Sequence, residues 1–130
     1  MTDAVLPNVT VYVVDDDDAV RDSVKVLLEV NGLRVEDYAS TADFARGFQR
    51  PGRGCLLLDQ HLPSTTGIDF LKSDEGRELG IPVILITGRG DPALEQQARE
   101  AGVVGYLQKP ISAGVLLATI GQAIVHQDNE

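Results

Sequence analysis

The sequence predicts an α/β protein built on an open parallel β-sheet with helices on both faces. Short apolar runs recur along it, "VTVYVV" at Val9 to Val14, "CLLL" at Cys55 to Leu58 and "VILI" at Val83 to Ile86. Continuous rather than alternating hydrophobicity suits strands covered on both faces. Between the runs the apolar period changes to that of helices, and such alternation implies βα units with right-handed crossovers. Finally, Asp, Thr and Lys follow the strands, and ligands in such sheets bind at the strands' carboxyl ends.

The first strand, Val9 to Val14, is rich in β-branched residues. Val20, Val24, Leu27 and Leu28 then form one apolar stripe of a helix, which Gly32 stops after Asn31. "LRVEDY" at Leu33 to Tyr38 is a weaker strand, expected nearer an edge. Ser40 is positioned as N-cap of a second helix carrying Phe44 and Phe48. The helix after the third strand is the least marked. Ile68 and Leu71 can face a core after Gly67, whereas "KSDEGRELG" is polar and reads as loop. Asp91 is a cap with Pro92 at the first helical position, and Gly102 closes that fourth helix. "GYLQ" at Gly105 to Gln108 is a second weak strand, and Ser112 caps a last, fifth helix with Leu116, Ile120 and Ile124 on one face.

With 130 residues and 43% hydrophobic composition, residues 1–130 read as one soluble globular domain, without linker or internal repeat. Eleven basic against twenty acidic residues give a net charge of −9, which argues against direct binding of nucleic acid. Cys55 is the single cysteine, so an intramolecular disulfide and a multi-cysteine zinc site are excluded. The start "MTDAVLPN" lacks a basic region and an apolar signal core, and no membrane-length apolar run follows. A cytoplasmic protein is expected.

The run Asp15 to Asp18 is the unusual feature. Neighbouring like charges repel, so it is either a solvated turn or one side of a cation site. Asp15 and Asp16 follow the first strand, Asp59 the third and Lys109 the fifth, while Thr87 ends the fourth. All project from one edge of a parallel sheet and converge on one crevice. An acidic pair facing a third carboxylate suits a hard divalent cation, Mg²⁺ or Mn²⁺. Asp17 and Asp18 are expected to begin the helix instead, where carboxylates cap free amides.

The segments "VYVVDDDDAVRDSV", "LLLDQHLPSTTGIDFL", "PVILITGRGD" and "AGVVGYLQKP" cover nearly the whole chain. In order and spacing the chain resembles the response-regulator receiver domain of two-component signalling, and its wording is similar to the FixJ-type subgroup, which often precedes a DNA-binding domain. The resemblance implies a flavodoxin-like, doubly wound five-stranded sheet of order 2-1-3-4-5 with five helices on both faces. It implies Asp59 as phospho-acceptor from a sensor histidine kinase, and Mg²⁺ held by Asp15, Asp16, Asp59 and the main-chain carbonyl of His61. Lys109 and Thr87 would meet the phosphoryl oxygens, and Thr87 with Tyr106 would switch the surface around the fourth helix, fifth strand and last helix. Such a domain is a signalling receiver rather than an enzyme, although it assists its own phosphorylation and dephosphorylation.

Some positions depart from the family pattern. Leu62 stands where Met is common before Pro63, and Val103 and Gly105 replace acidic and small residues, which is expected to loosen the loop into the fifth strand. His61 and Arg89 lie two residues beyond Asp59 and Thr87, where the family sets the lifetime of the phosphoryl group. As side chains, His61 and His126 lack partners at ligand spacing and read as surface residues, while Cys55 reads as buried and inert.

Two other function classes compete. Asp15 and Asp17 form the D-x-D pair of an aspartyl-phosphate phosphohydrolase of the haloacid dehalogenase kind, but Ala19 stands where that pattern has Thr or Val. A receiver fold used as a constitutive interaction module usually lacks acceptor or acidic residues, and none is lost here. The chain ends soon after the last helix, so a DNA-binding effector domain or a separate output partner would lie outside it. A monomer that dimerises on phosphorylation is expected.

Overall fold

The computed structural model describes residues 8–49 and 52–129. Five parallel strands, β1 (Val9–Val14), β2 (Arg34–Tyr38), β3 (Arg53–Asp59), β4 (Val83–Thr87) and β5 (Gly105–Gln108), form one sheet in the order β2-β1-β3-β4-β5. The helices are α1 (Asp18–Val30), α2 (Thr41–Gly47), α3 (Gly67–Lys72), α4 (Asp74–Arg77), α5 (Pro92–Glu100) and α6 (Ala113–Asp128). Thr87 ends β4 as expected, whereas β3 runs one residue past its apolar stretch, so Asp59 is the last residue of its strand rather than a residue beyond it.

Alternation along each strand divides the core. Val11 and Val13 join Leu57, Ile84 and Ile86 under Leu28 of α1 and Leu116, Ile120 and Ile124 of α6. Tyr12 and Val14 join Leu56, Leu58 and Leu85 on the opposite face, under Phe44 of α2, Ile68, Phe70 and Leu71 of α3 and Ala98 of α5. Each of these large side chains contributes about 1.5–3 kcal/mol by leaving water. Covered on both faces, β4 carries no polar side chain until Thr87 at its carboxyl end.

The expected helix boundaries hold where capping chemistry sets them. Ser40, Asp91 and Ser112 accept from the amides of Asp43, Leu94 and Val115. Gly32 (φ 86°) and Gly102 (φ 96°) take the left-handed conformation that ends α1 and α5. The third crossover differs from the expected single helix followed by loop. It is two short helices, giving six among the described residues, with Ser73 ending α3 and capping α4 through the Gly76 amide. Gly76 allows the tight join, because a Cβ there would lie 2.1 Å from the Phe70 carbonyl oxygen.

The loop entering β5 is held by its main chain and by burial. Val103 is buried, its amide donates to Ala98, and the Val104 amide donates to Val83 at 2.8 Å.

Candidate functional site

The ends of β1 and β3 carry two buried carboxylates, Asp15 and Asp59, each only 5% exposed. With exposed Asp16 they form a cluster in which one carboxylate oxygen from each lies within 4.8 Å of the others. Asp15 is fixed by its own amide, which donates to the Tyr38 carbonyl, and by the Asp17 amide, which donates to its Oδ1 at 2.9 Å. Lys109, following β5, brings Nζ to 3.2 Å from Asp15 Oδ2 and 3.7 Å from Asp59 Oδ2.

Three carboxylates against one ammonium leave the crevice negative. Burial and the neighbouring charge of Asp15 raise the Asp59 pKa, although Lys109 and the His61 amide act in the other direction. Burial works against the Lys109 ammonium, yet Asp59 and Asp15 outweigh it and raise the lysine pKa. Both shifts express one deficit, which a bound cation would relieve. The donors are carboxylate oxygens, a hard set that fits a hard divalent cation.

The remaining acids of the run divide as the helix start requires. Asp17 caps α1 by accepting from Ala19 and Val20, and Asp18 opens it. Asp17 is therefore occupied by the helix terminus, which weakens the reading of Asp15 and Asp17 as a phosphohydrolase pair.

Thr87 is fully buried at the end of β4. Its hydroxyl donates to the Arg89 carbonyl and accepts from the Arg89 amide, both at 3.1 Å, with His61 Nε2 at 3.3 Å. The exposed residues His61 and Arg89 thus both reach Thr87, one through its ring and the other through its main chain. His126 is exposed on α6, and Cys55 is buried with its thiol pKa pushed up to about 12 by burial alone.

Tyr106 on β5 packs against the apolar cluster beneath α5. Its hydroxyl is buried without a hydrogen-bond partner among the described residues. Burial raises its pKa, and the Asp91 main chain, which opposes that shift, falls short of full hydrogen-bond geometry.

Two residues that the sequence reading passed over shape the site. Arg21 donates to the Asp15 carbonyl at 2.8 Å, to Asp37 at 3.1 Å and to Asp18 at 2.7 Å, joining β1, β2 and α1 beneath the acidic run. Its position three residues after Asp18 was the available signal. Gly90 leaves space for the tyrosine, since a Cβ there would lie 2.8 Å from Tyr106 Oη. No sequence pattern announces that contact.

A doubly wound sheet of this order, with an acidic cluster, Thr87 and Lys109 at its carboxyl edge, defines the receiver class of signalling domains. The chain belongs to the response regulator receiver domain family, which matches residues 11–121. It is 37% identical over 110 residues to the transcriptional regulatory protein FixJ of Azorhizobium caulinodans, covering 85% of this chain and 52% of that protein. Among solved structures it is similar to response regulator StyR, with a TM-score of 0.84 and 33% identity over 94% of this chain and 62% of that one. It is also similar to FixJ-N, with a TM-score of 0.82 and 31% identity over 93% of this chain and 97% of that one. The chain spans about half the length of the curated relatives it matches. Among the described residues no helix is long and apolar enough to cross a membrane.

Proposed function

We propose that residues 1–130 form one cytoplasmic receiver unit, in which phosphorylation of Asp59 by a sensor histidine kinase controls a transcriptional output. The observation that carries this reading is the cluster of Asp15, Asp16 and Asp59 with Lys109 bridging two of them. A carboxylate oxygen of Asp59 attacks the phosphorus of a phosphohistidine; the new P–O bond replaces the P–N bond, and the imidazole leaves with a proton. Lys109 then turns from the carboxylates to the phosphoryl oxygens, and Thr87 donates its hydroxyl to them.

Asp15, Asp16, Asp59 and the main-chain carbonyl of His61 would hold Mg²⁺, or Mn²⁺ in its place. The bound ion supplies neutralisation of the charge on the transferring oxygens. A groove of about 540 Å³, lined by Val20 and Val24 of α1 and by Ile111, opens onto Asp59 and offers a donor its approach. The domain assists its own phosphorylation and dephosphorylation without turning over a separate substrate. Modification biases a two-state surface of α5, β5 and α6 through Thr87 and Tyr106. The unmodified monomer would associate more strongly once phosphorylated, and a DNA-binding domain or separate partner would read the change.

Intact-mass spectrometry after incubation with acetyl phosphate tests the reading, with and without Mg²⁺. One phosphoryl adduct is expected that needs Mg²⁺, is removed by hydroxylamine and is absent from Asp59→Asn. A Mg²⁺-independent adduct, or one that persists in Asp59→Asn, would overturn it.

A further inference from the structure

A buried hydroxyl has one proton to give and two lone pairs. In Thr87 all three are in use. With the proton on the Arg89 carbonyl and one lone pair on the Arg89 amide, the second lone pair faces His61 Nε2 at 3.3 Å, a contact that the Nε2–H tautomer makes a hydrogen bond. The Arg89 contacts lie within the same loop, only two residues along the chain. His61 is 26 residues away, on the loop that follows the acceptor.

That loop is itself tied to Asp59. The His61 amide donates to Asp59 Oδ1 at 3.4 Å, and His61 bridges to Thr66 just before α3. One residue therefore touches the acceptor carboxylate with its backbone and the Thr87 hydroxyl with its ring.

We propose that the His61 side chain is a positioning residue that acts through Thr87, holding the hydroxyl committed to the β4–α5 loop until Asp59 is modified. The proposal rests on the reading of Asp59 as acceptor and Thr87 as its hydroxyl partner. For Thr87 to donate to a phosphoryl oxygen, its proton must leave the Arg89 carbonyl and its oxygen must leave the imidazole. Converting Asp59 to an acyl phosphate takes negative charge from the carboxylate that holds the His61 amide, so modification and release are linked through a single residue. With the imidazole gone, Thr87 turns more readily and the modified state is reached at lower cost.

His61 lies two residues beyond the acceptor and contacts it, so phosphoryl lifetime cannot separate a latch from a shield. The test therefore uses a static phosphoryl stand-in. Wild type, His61→Leu and His61→Gln are each prepared with Thr87 and with Thr87→Val. The measurements are the affinity for beryllofluoride in the presence of Mg²⁺ and, in the unmodified protein, the ¹³C shift of the Thr87 methyl group. His61→Leu is expected to tighten beryllofluoride binding about fivefold, the scale of one net hydrogen bond, and to move the Thr87 methyl resonance. His61→Gln, which keeps an N–H donor, should stay near wild type. In the Thr87→Val background the effect on affinity should vanish.

An unchanged methyl resonance and affinity in His61→Leu would overturn the latch alone, as would an equal gain in affinity with Thr87→Val. Failure of the wild type to bind beryllofluoride would instead overturn the receiver reading, and the latch with it.

Discussion

Lys109 is paired more closely with Asp15, at 3.2 Å, than with Asp59, at 3.7 Å. The ammonium is the only cation within ion-pairing reach of either carboxylate among the described residues. Lys109→Gln should therefore raise the Asp59 pKa further, because the opposing negative charge of Asp15 remains. It should also lower stability by about 1–2 kcal/mol, less than for a fully buried pair because Lys109 is partly exposed. A carboxyl-carbon NMR titration and urea unfolding read the two effects.

The raised pKa of Asp59 fixes the sign of a pH dependence. Burial, with Asp15 adding to it, lifts the folded value above the ordinary 3.8. Below that value both folded and unfolded chains hold the proton, and the residue costs nothing. As pH rises, the unfolded chain releases its proton first, so the native state loses stability until the folded pKa is passed. Asp59→Asn should then melt a few degrees above wild type at pH 7, with the advantage fading below about pH 4. Melting curves from pH 3 to 8 show whether the two proteins converge at the acid end.

Mg²⁺ should reverse that penalty. At a concentration one hundred times its Kd, a ligand specific for the native state adds about 2.7 kcal/mol. The gain should be lost on chelation and largely absent from Asp15→Asn, whereas Asp17→Ala should bind the ion normally and lose only helix-cap stability. Isothermal titration of the three proteins tests this; equal loss in the two variants would remove the distinction drawn between the acids.

Tyr106 occupies a seat that does not satisfy its hydroxyl. Tyr106→Phe should stabilise the chain by about 1 kcal/mol, since an unpaired buried hydroxyl costs roughly 1–3 kcal/mol. Gly90→Ala should displace the tyrosine, because its Cβ would press on Oη at 2.8 Å and on Gln108 Oε1 at the same distance. Combined with Tyr106→Phe, Gly90→Ala should cost less than it does alone. Chemical denaturation of the double-mutant cycle measures that coupling.

The central strands were legible because burial on both faces leaves uninterrupted apolar runs, as at Leu56 to Leu58 and Ile84 to Ile86, whereas their order followed only from the resemblance to the receiver family. Capped helices were equally plain, since Ser40, Asp91 and Ser112 announce their chemistry locally. The split at Ser73 was not. It depends on Gly76 meeting the Phe70 backbone, a contact that exists only once the turn has formed. At the candidate site the carboxylates, Thr87 and Lys109 could be named from the strand ends. The spacing of Asp18 and Arg21 offered one local contact of that arginine, but its bond to Asp37 exists only once β2 is paired beside β1. The ring of His61 reads as a surface side chain until the fold brings Thr87 beside it.

Cys55 lies in the middle of the sheet, opposite Val11 of β1, fully buried and with its thiol pKa pushed up to about 12. A reagent that alkylates thiolates cannot reach it while the sheet stands, and the buried thiol would not react if it did. The single cysteine is therefore a clock for opening of the whole sheet, wound by the fold itself and needing no engineered probe. Its labelling rate should follow the population of opened chains, slowing when a cation or a phosphoryl stand-in is added and quickening in any variant that loosens the core.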